Sequence, residues 1–217
     1  LAGVAADWTP RQVDSAIGRS SIGTLQSMTG PSRTDPALRQ SLQSDFRALA
    51  GTAGFATNGV RFLIVDGRRI GANALAVPGG YVLLTDQLIA RAQSRDEIVG
   101  VLAHELGHLH HRHGVEKLYR AAALSAALYL LIGGDGGLGG LAGLGTGVVT
   151  SAYSRDMERE ADAYAVRLLQ RTSYDPTAFG RLLVRLERET GSDTPGLMRS
   201  HPVSQERLDR IQALAAD

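Results

Sequence analysis

The sequence lacks cysteine, a strong net charge and any apolar stretch long enough to cross a membrane. With no cysteine among 217 residues, disulfide bonds and thiolate metal ligands are excluded, although no cellular compartment is. A net charge of +1 gives no reason to expect a nucleic-acid partner. The apolar run from Ala121 to Ile132 is short of the ~20 residues that a spanning helix needs.

The most informative stretch that is present is His104-Glu105-Leu106-Gly107-His108. Residues four apart lie on the same side of a helix, so both imidazoles can bind one Zn²⁺ while the carboxylate reaches the water on that metal. The preceding Ser94-Arg95-Asp96-Glu97 is a capping-box pattern, and the apolar period that follows it ends before Gly114. The sequence therefore predicts a helix of about five turns that carries a metal-binding motif.

A helical projection places the two motif histidines away from the apolar face of this helix. The residues predicted to pack into the core are Ile98, Val99, Leu102, Leu106 and Leu109. Histidines off that face are either metal ligands or solvated surface residues, and both interpretations stay open at this point. His113 projects into the apolar face, which favours a buried, hydrogen-bonded structural role. His111 lies two turns from His104, too far to share an ion with it while His108 does.

A catalytic zinc site needs a third protein ligand, and the acidic cluster at residues 154–162 is its best source. This cluster opens a predicted helix whose buried face comprises Met157, Ala161, Tyr164, Ala165, Leu168 and Leu169. Glu158 projects into that face, where a carboxylate is costly unless it is paired or bound to a metal. Glu160 projects well outside it and suits a solvated charge run. We therefore predict Glu158 as the third ligand and Asp162 as the acceptor that orients a ligand histidine.

Strand-like stretches precede the motif helix at residues 60–65 and Ala74–Val77, and another follows Pro78-Gly79-Gly80 at residues 81–84. A strand that ends in proline suits the edge of a sheet, where an extended peptide can pair with it. The predicted substrate-binding segment is Ala74, Leu75, Ala76, Val77 and Pro78. An ordinary hairpin with no ligand role is the alternative.

Four parts of the sequence form a recognisable combination: the His104–His108 motif, the run Ser154-Arg155-x-x-Glu158-x-Glu160-Ala161-Asp162, the segment from Asn73 to Gly80, and Ser200-His201-Pro202 with Arg207. Together these blocks resemble metallopeptidase family 48. They occur in the family's order, and the resemblance spans about residues 61–214. The family includes integral-membrane CAAX prenyl proteases, the heat-shock protease HtpX and soluble periplasmic enzymes of outer-membrane quality control.

The resemblance implies a predominantly helical α+β fold of the zincin, gluzincin type, with a small β-sheet whose edge strand faces the active-site helix and holds the substrate. It implies one Zn²⁺ per chain, bound by His104, His108 and Glu158, and it agrees with the projection on Glu158. It also implies a location in the bacterial periplasm or at the envelope. No signal peptide is visible, and the chain begins at Leu1, so we expect it to be a trimmed or excerpted sequence.

The roles of His201 and Arg207 stay open. A histidine near the metal would stabilise the oxyanion of the tetrahedral intermediate, or it would occupy the fourth zinc position and hold the enzyme off, as the resemblance suggests. A surface histidine is the third interpretation. Arg207, on the following predicted helix, would anchor the His201 loop or the intermediate.

The predicted activity is zinc-dependent hydrolysis of peptide bonds in unfolded or misassembled envelope proteins, which bind as an extended strand. In this interpretation Glu105 is the general base that activates water and then protonates the leaving amine. Two alternatives remain: a chaperone-like binding module with a structural metal, and a zinc amidase that acts on cell-wall links. An intact Glu105 favours an enzyme, because a pure binder needs no base beside its metal.

The composition, with 43% hydrophobic and 21% charged residues, suits a single domain over residues 1–217. Within it, an N-terminal helical region, residues 1–53, is predicted to pack on the catalytic core, residues 54–217. Between about Trp8 and Ala53, that region is predicted to hold two helical stretches separated by Gly30-Pro31. No internal repeat is found. Residues 121–150 suggest a buried helix and a flexible linker, with a mobile lid, a membrane-surface contact or an oligomer contact as alternatives.

Overall fold

The computed structural model describes residues 2–56, 58–132, 151–190, 196–202 and 204–216. Helices predominate around a small mixed sheet, so the predicted predominantly helical α+β class is confirmed. The helices are α1 Ala2–Trp8, α2 Arg11–Met28, α3 Pro36–Thr52, α4 Asp86–Arg91, α5 Arg95–His110, α6 His113–Ile132, α7 Arg155–Leu169, α8 Ala178–Thr190, α9 Leu197–Ser200 and α10 Gln205–Ala216.

No helix within these described ranges is both long and apolar enough to cross a membrane. Helix α6 includes the apolar run predicted to start at Ala121. The glycine-rich stretch that follows, and with it the proposed lid or contact segment up to residue 150, lies outside the described residues.

The sheet contains β1 Gly30–Pro31, β2 Arg61–Asp66, β3 Ala74–Val77 and β4 Tyr81–Thr85, in the order β1-β2-β4-β3. Strands β2 and β4 are parallel, and β3 pairs antiparallel with β4. The predicted strands are confirmed to within a residue at each end, and β3 lies at the sheet edge as predicted. The prediction for Gly30-Pro31 was incomplete, because this dipeptide pairs antiparallel with Val65 and Asp66 of β2. Proline is tolerated there because the strand is at an edge.

The N-terminal region contributes to both apolar cores. The two helical stretches predicted on either side of Gly30-Pro31 are α2 and α3, and among the described residues the further helix α1 precedes them. Helix α3 buries its apolar side chains in the main core, together with the sheet and helices α5, α7 and α8; the α3 residues are Leu42, Phe46, Leu49 and Ala50. Helix α2 buries Ile22 and Leu25 against Leu75 and Leu83 on the other face of the sheet. Both faces of the sheet are therefore covered by helices.

Helix α5 lies at the centre of the fold and is buried on every side from Glu97 to His108. The interpretation in which the motif histidines are solvated is therefore wrong, since their exposed fractions are 3% for His104 and 1% for His108. The projection identified the apolar face correctly but could not show that α7 covers the opposite face.

Both ends of α5 are set by specific polar contacts. The hydroxyl of Ser94 accepts a hydrogen bond from the Glu97 amide, as the capping pattern predicts. The helix ends at His110, before Gly114 as predicted, and Arg112 two residues later adopts a left-handed backbone conformation with φ of 56°. The buried Arg112 guanidinium binds the Asp14 carboxylate, which anchors this turn to α2.

Gly107 allows α5 and α7 to pack closely. A Cβ atom at this position would lie 3.0 Å from the Cα and the carbonyl oxygen of Ala161 on α7. Both are backbone atoms, so they can move only if the helix moves. The glycine of the motif thus allows close packing between the backbones of α5 and α7, the two helices that carry the predicted ligands.

We expect Gly107→Ala to destabilise the fold by about 1–3 kcal/mol, because the added methyl group forces α7 away from α5. Gly23→Ala is the matched control, since Gly23 also lies in a helix and a Cβ there meets no atom within 4 Å. The control is expected to be neutral or stabilising, as alanine has the higher helix propensity. Urea unfolding of both variants measures the difference, and equal free energies of unfolding would contradict this account of Gly107.

Candidate active site

The predicted ligand atoms of the histidine motif on α5 and of the acidic cluster on α7 lie close together. The Nε2 atoms of His104 and His108, one turn apart on α5, are 3.0 Å from each other. Glu158 reaches them from α7, with its Oε1 3.4 Å from His108 Nε2 and its Oε2 3.5 Å from His104 Nε2. Glu158 is 4% exposed, whereas Glu160 is exposed, as the projection of α7 predicts.

His201 joins this group from the far end of the chain. It follows the short helix α9 and is 1% exposed, so the interpretation as a surface histidine is wrong. Its Nδ1 lies 2.9 Å from Glu158 Oε1 and 3.1 Å from His104 Nε2. Ligand atoms of His104, His108, Glu158 and His201 all lie within 4.8 Å of one another, a geometry that fits a single metal ion.

Arg207 holds the carboxylates of α7 in place. Its guanidinium donates two hydrogen bonds to Asp162, at 2.6 and 2.8 Å, and its Nη1 lies 2.7 Å from Glu158 Oε2. It also donates to the carbonyl oxygen of Pro202, next to His201. Asp162 Oδ1 in turn lies 2.9 Å from His104 Nδ1. Of the two predicted roles for Arg207, the structure shows the contact with the His201 loop.

Glu105 is buried beside the ligand group. Neither of its carboxylate oxygens has a hydrogen-bond partner among the residues that the structure describes. His201 is close to it, with its Nε2 3.3 Å from Glu105 Oε1. A fully buried carboxylate without hydrogen bonds is costly unless a positive charge compensates it. Imidazole nitrogens with a carboxylate oxygen are also a donor set that transition metals favour, so the residues fit a bound cation.

Burial and neighbouring charges act against each other in this site. Burial opposes ionisation of Glu158, but the surrounding histidines and the Arg207 guanidinium hold the pKa of its carboxyl well below the usual range. Burial likewise opposes protonation of His104, yet Glu158 and Asp162 outweigh it and raise the pKa of His104 to about 9. For His108 burial prevails and lowers its pKa. The carboxylates thus attract positive charge to the position between the imidazoles.

A further series of contacts begins at the Nδ1 side of the His108 ring. Its Nδ1 lies 2.9 Å from His113 Nδ1, and His113 Nε2 lies 2.9 Å from Glu160 Oε2. The prediction that His113 is buried and hydrogen-bonded is confirmed. Its contact with a candidate ligand was missed, because the helical projection did not include the left-handed turn at Arg112.

Tyr153 forms a wall between the ligand group and strand β3. Its ring stacks on His108, with centroids 3.8 Å apart, and its hydroxyl lies 3.4 Å from the Ala76 carbonyl oxygen. Lys117, the only lysine in the sequence, lies with its Nζ 3.9 Å from the centre of the Tyr153 ring. Neither residue was predicted, since one is a lone tyrosine and the other a lone lysine with no local pattern. Tyr153 therefore connects His108 with Ala76 of the predicted substrate segment.

Comparison with known proteins agrees with this geometry. A family model described as peptidase family M48 matches residues 36–215, most of the chain. The chain belongs to peptidase family M48. The predicted resemblance is thereby confirmed, and with it the prediction that this is an enzyme of the metallopeptidase class.

Other members of family M48 resemble the chain over much of its length. The beta-barrel assembly-enhancing protease of Escherichia coli (strain K12) is 28% identical over 94% of this chain and 46% of its own. The mitochondrial metalloendopeptidase OMA1 of Schizosaccharomyces pombe is 31% identical over 64% of this chain and 42% of its own. Metalloprotease YcaL of E. coli is 30% identical over 64% and 57%, respectively. The chain thus spans about half the length of these M48 relatives.

Because of Lys117, the free energy of unfolding of this M48 domain should change with pH in the alkaline range. Burial lowers the pKa of Lys117 from 10.5 to about 8, despite the opposing effect of the Glu105 and Glu158 carboxylates. Between these two values the unfolded chain binds more protons than the folded one, so stability should rise with pH. The contribution of Lys117 should be on the order of 3 kcal/mol across that window.

The measurement is urea unfolding of the metal-free protein and of Lys117→Met from pH 7.5 to 10.5, with the difference taken at each pH. Methionine preserves the volume of the side chain but cannot titrate. Stability of the wild type should increase relative to the variant as pH rises from about 8. A difference that is constant with pH would show that Lys117 keeps its ordinary pKa.

Proposed function

We propose that this chain is a zinc-dependent endopeptidase domain that cleaves unfolded or misassembled polypeptides of the bacterial envelope. The observation that carries the proposal is the convergence of His104, His108 and Glu158 beside a buried carboxylate, Glu105, that has no hydrogen-bond partner among the described residues. Membership of peptidase family M48 supports the same chemistry.

The three proposed zinc ligands are His104, His108 and Glu158. Zn²⁺ held there would supply Lewis-acid chemistry, polarising the scissile carbonyl and making water a stronger acid near neutral pH. Asp162 Oδ1 lies 2.9 Å from His104 Nδ1, so in this proposal it holds the hydrogen of that ring on Nδ1 and leaves Nε2 free as a ligand atom. Arg207 keeps both carboxylates of α7 oriented toward the site.

Glu105 is the proposed general base. Its oxygens make no hydrogen bond with the described residues that would compete for a proton, so the carboxylate can take one from the attacking water. It then returns this proton to the amine that leaves when the peptide bond breaks. The carboxylate is fully buried, and the low dielectric of such surroundings strengthens its electrostatic interactions with the reacting groups.

Strand β3 is the proposed binding site for an extended substrate. The Asn73 carbonyl accepts a hydrogen bond from the Thr85 amide, so alternation along β3 points the Ala74 and Ala76 carbonyls away from β4. A peptide can add to that edge as a further strand. In this structure the Tyr153 hydroxyl approaches the Ala76 carbonyl, so substrate binding requires Tyr153 to move away.

The proposed envelope location follows from the relatives. Several of them, including the E. coli protein, are named beta-barrel assembly-enhancing proteases. By this likeness, an unfolded envelope protein is the proposed substrate class. A contact of residues 121–150 with a membrane surface or another copy of the chain remains part of the proposal.

Glu105→Gln tests the assignment of the general base. The variant should bind zinc as the wild type does but lose casein hydrolysis by at least about 100-fold, because it cannot accept a proton. Glu187→Gln, an exposed position on α8, is the matched control and should retain full activity. The measurements are zinc content after dialysis and release of casein fragments.

Each alternative function predicts a different result in this experiment. Substantial cleavage by zinc-loaded Glu105→Gln would contradict the proposed base. Wild-type protein that binds casein without cutting it would indicate the chaperone-like module. Activity confined to cell-wall material would indicate the amidase.

For His201 we propose the fourth ligand position in a resting state, because its Nδ1 lies among the other ligand atoms. His201→Ala should therefore bind zinc more weakly but cleave casein faster once it is zinc-loaded, since the position becomes open to water and substrate. His110→Ala, which removes an exposed histidine of α5, is the control. A loss of activity with unchanged zinc affinity would instead assign His201 to stabilisation of the transition state.

A further inference from the structure

A second group of metal-binding side chains lies directly behind the proposed zinc ligands. His111 follows the last residue of α5, His113 begins α6, and Glu160 projects from α7. One ligand atom from each of the three lies within 4.8 Å of those of the other two. The rings of His111 and His113 are nearly parallel, at 13°, with centroids 5.3 Å apart. The proposed peptidase function uses none of these three as a ligand.

We propose that His111, His113 and Glu160 form a second binding site for a divalent transition-metal ion, with Zn²⁺ as its ligand. Two imidazole nitrogens and one carboxylate oxygen are a donor set that such ions prefer over calcium or magnesium. His113 is buried, whereas His111 and Glu160 are exposed, so an ion can enter from solvent and keep water in its remaining positions. A site with this exposure should exchange its ion more readily than the buried site.

The two sites are connected through one hydrogen. His113 contacts His108 through the Nδ1 atoms of both rings, which are 2.9 Å apart, and a neutral imidazole carries one hydrogen. When His108 Nε2 binds the first ion, the hydrogen of His108 is on Nδ1 and is donated to His113. The hydrogen of His113 is then on Nε2, which faces Glu160.

An ion at the second site requires His113 Nε2 as its ligand, so the hydrogen of His113 must move to Nδ1. Only one hydrogen fits between the two Nδ1 atoms, and His113 would then donate it to His108. That arrangement places the hydrogen of His108 on Nε2, where it blocks binding to the first ion. Each ion therefore weakens binding of the other, and the second site is inhibitory.

The test is zinc stoichiometry, measured by equilibrium dialysis of metal-stripped full-length chain against increasing Zn²⁺, followed by elemental analysis. The wild type should bind two ions in two separated steps. His111→Ala should bind one, because it removes a ligand of the second site and leaves the contacts among His108, His113 and Glu160 intact. His110→Ala is the matched control: it removes the neighbouring exposed histidine, which stacks on Tyr164, and should still bind two ions.

Casein cleavage provides a second readout, which rests on the proposed peptidase function, whereas the stoichiometry does not. Wild-type activity should rise with the first equivalent of zinc and fall with the second, and the fall should be lost in His111→Ala. A single ion in the wild type would overturn the proposal. Two ions in both the wild type and His111→Ala would overturn it as well, since the second ion would then lie elsewhere. Two interacting ions with no casein cleavage would preserve the second site but contradict the proposed function.

Discussion

The site depends on placing negative charge from α7 against the imidazoles of α5 inside the core. Glu158 and Asp162 are both buried, and a buried carboxylate is stable only when it is paired and hydrogen-bonded. Arg207 meets this requirement by contacting both, and it comes from the last helix of the chain. The cation between the carboxylates and the imidazoles would complete the neutralisation. The histidine motif on α5 therefore has its electrostatic partners on two later helices, α7 and α10.

Close backbone packing makes this arrangement possible. Gly107 lets the α5 backbone approach Ala161, which lies between Glu158 and Asp162 on α7. A larger side chain would separate the helices by part of an ångström, and ligand distances near 3.5 Å would grow by a similar amount. The same glycine therefore serves packing and chemistry. Its position inside the motif has a physical reason beyond helix formation.

The contacts around His108 link the site to the rest of the molecule. On one side its ring stacks on Tyr153, whose hydroxyl lies near the carbonyl of the edge strand. On another side it meets His113, which leads to the exposed Glu160. The proposed ligand His108 thus lies between the proposed substrate strand and the protein surface.

Periodicity predicted much of the fold, because burial follows directly from which side chains are apolar. Together with two local signals it identified three strands and two helices: the Ser94 capping pattern marked the start of α5, and Pro78 marked β3 as an edge strand. It predicted that α5 ends before Gly114 but not the turn that follows, in which the buried Arg112 binds Asp14 about a hundred residues away in sequence. It also did not predict β1, because two residues carry no periodic signal.

The sequence by itself determined the residue types of the site: two histidines one turn apart, a carboxylate beside them, and a second carboxylate on the buried face of a later helix. Spacing on a helix is a local property, so projection could select Glu158 over Glu160. Only the tertiary structure decided that His201 lies among the ligands, that Arg207 bridges Glu158 and Asp162, and that Tyr153, Lys117 and His113 surround them. These contacts join residues far apart in the chain, and such proximity is set by how helices pack rather than by any local pattern.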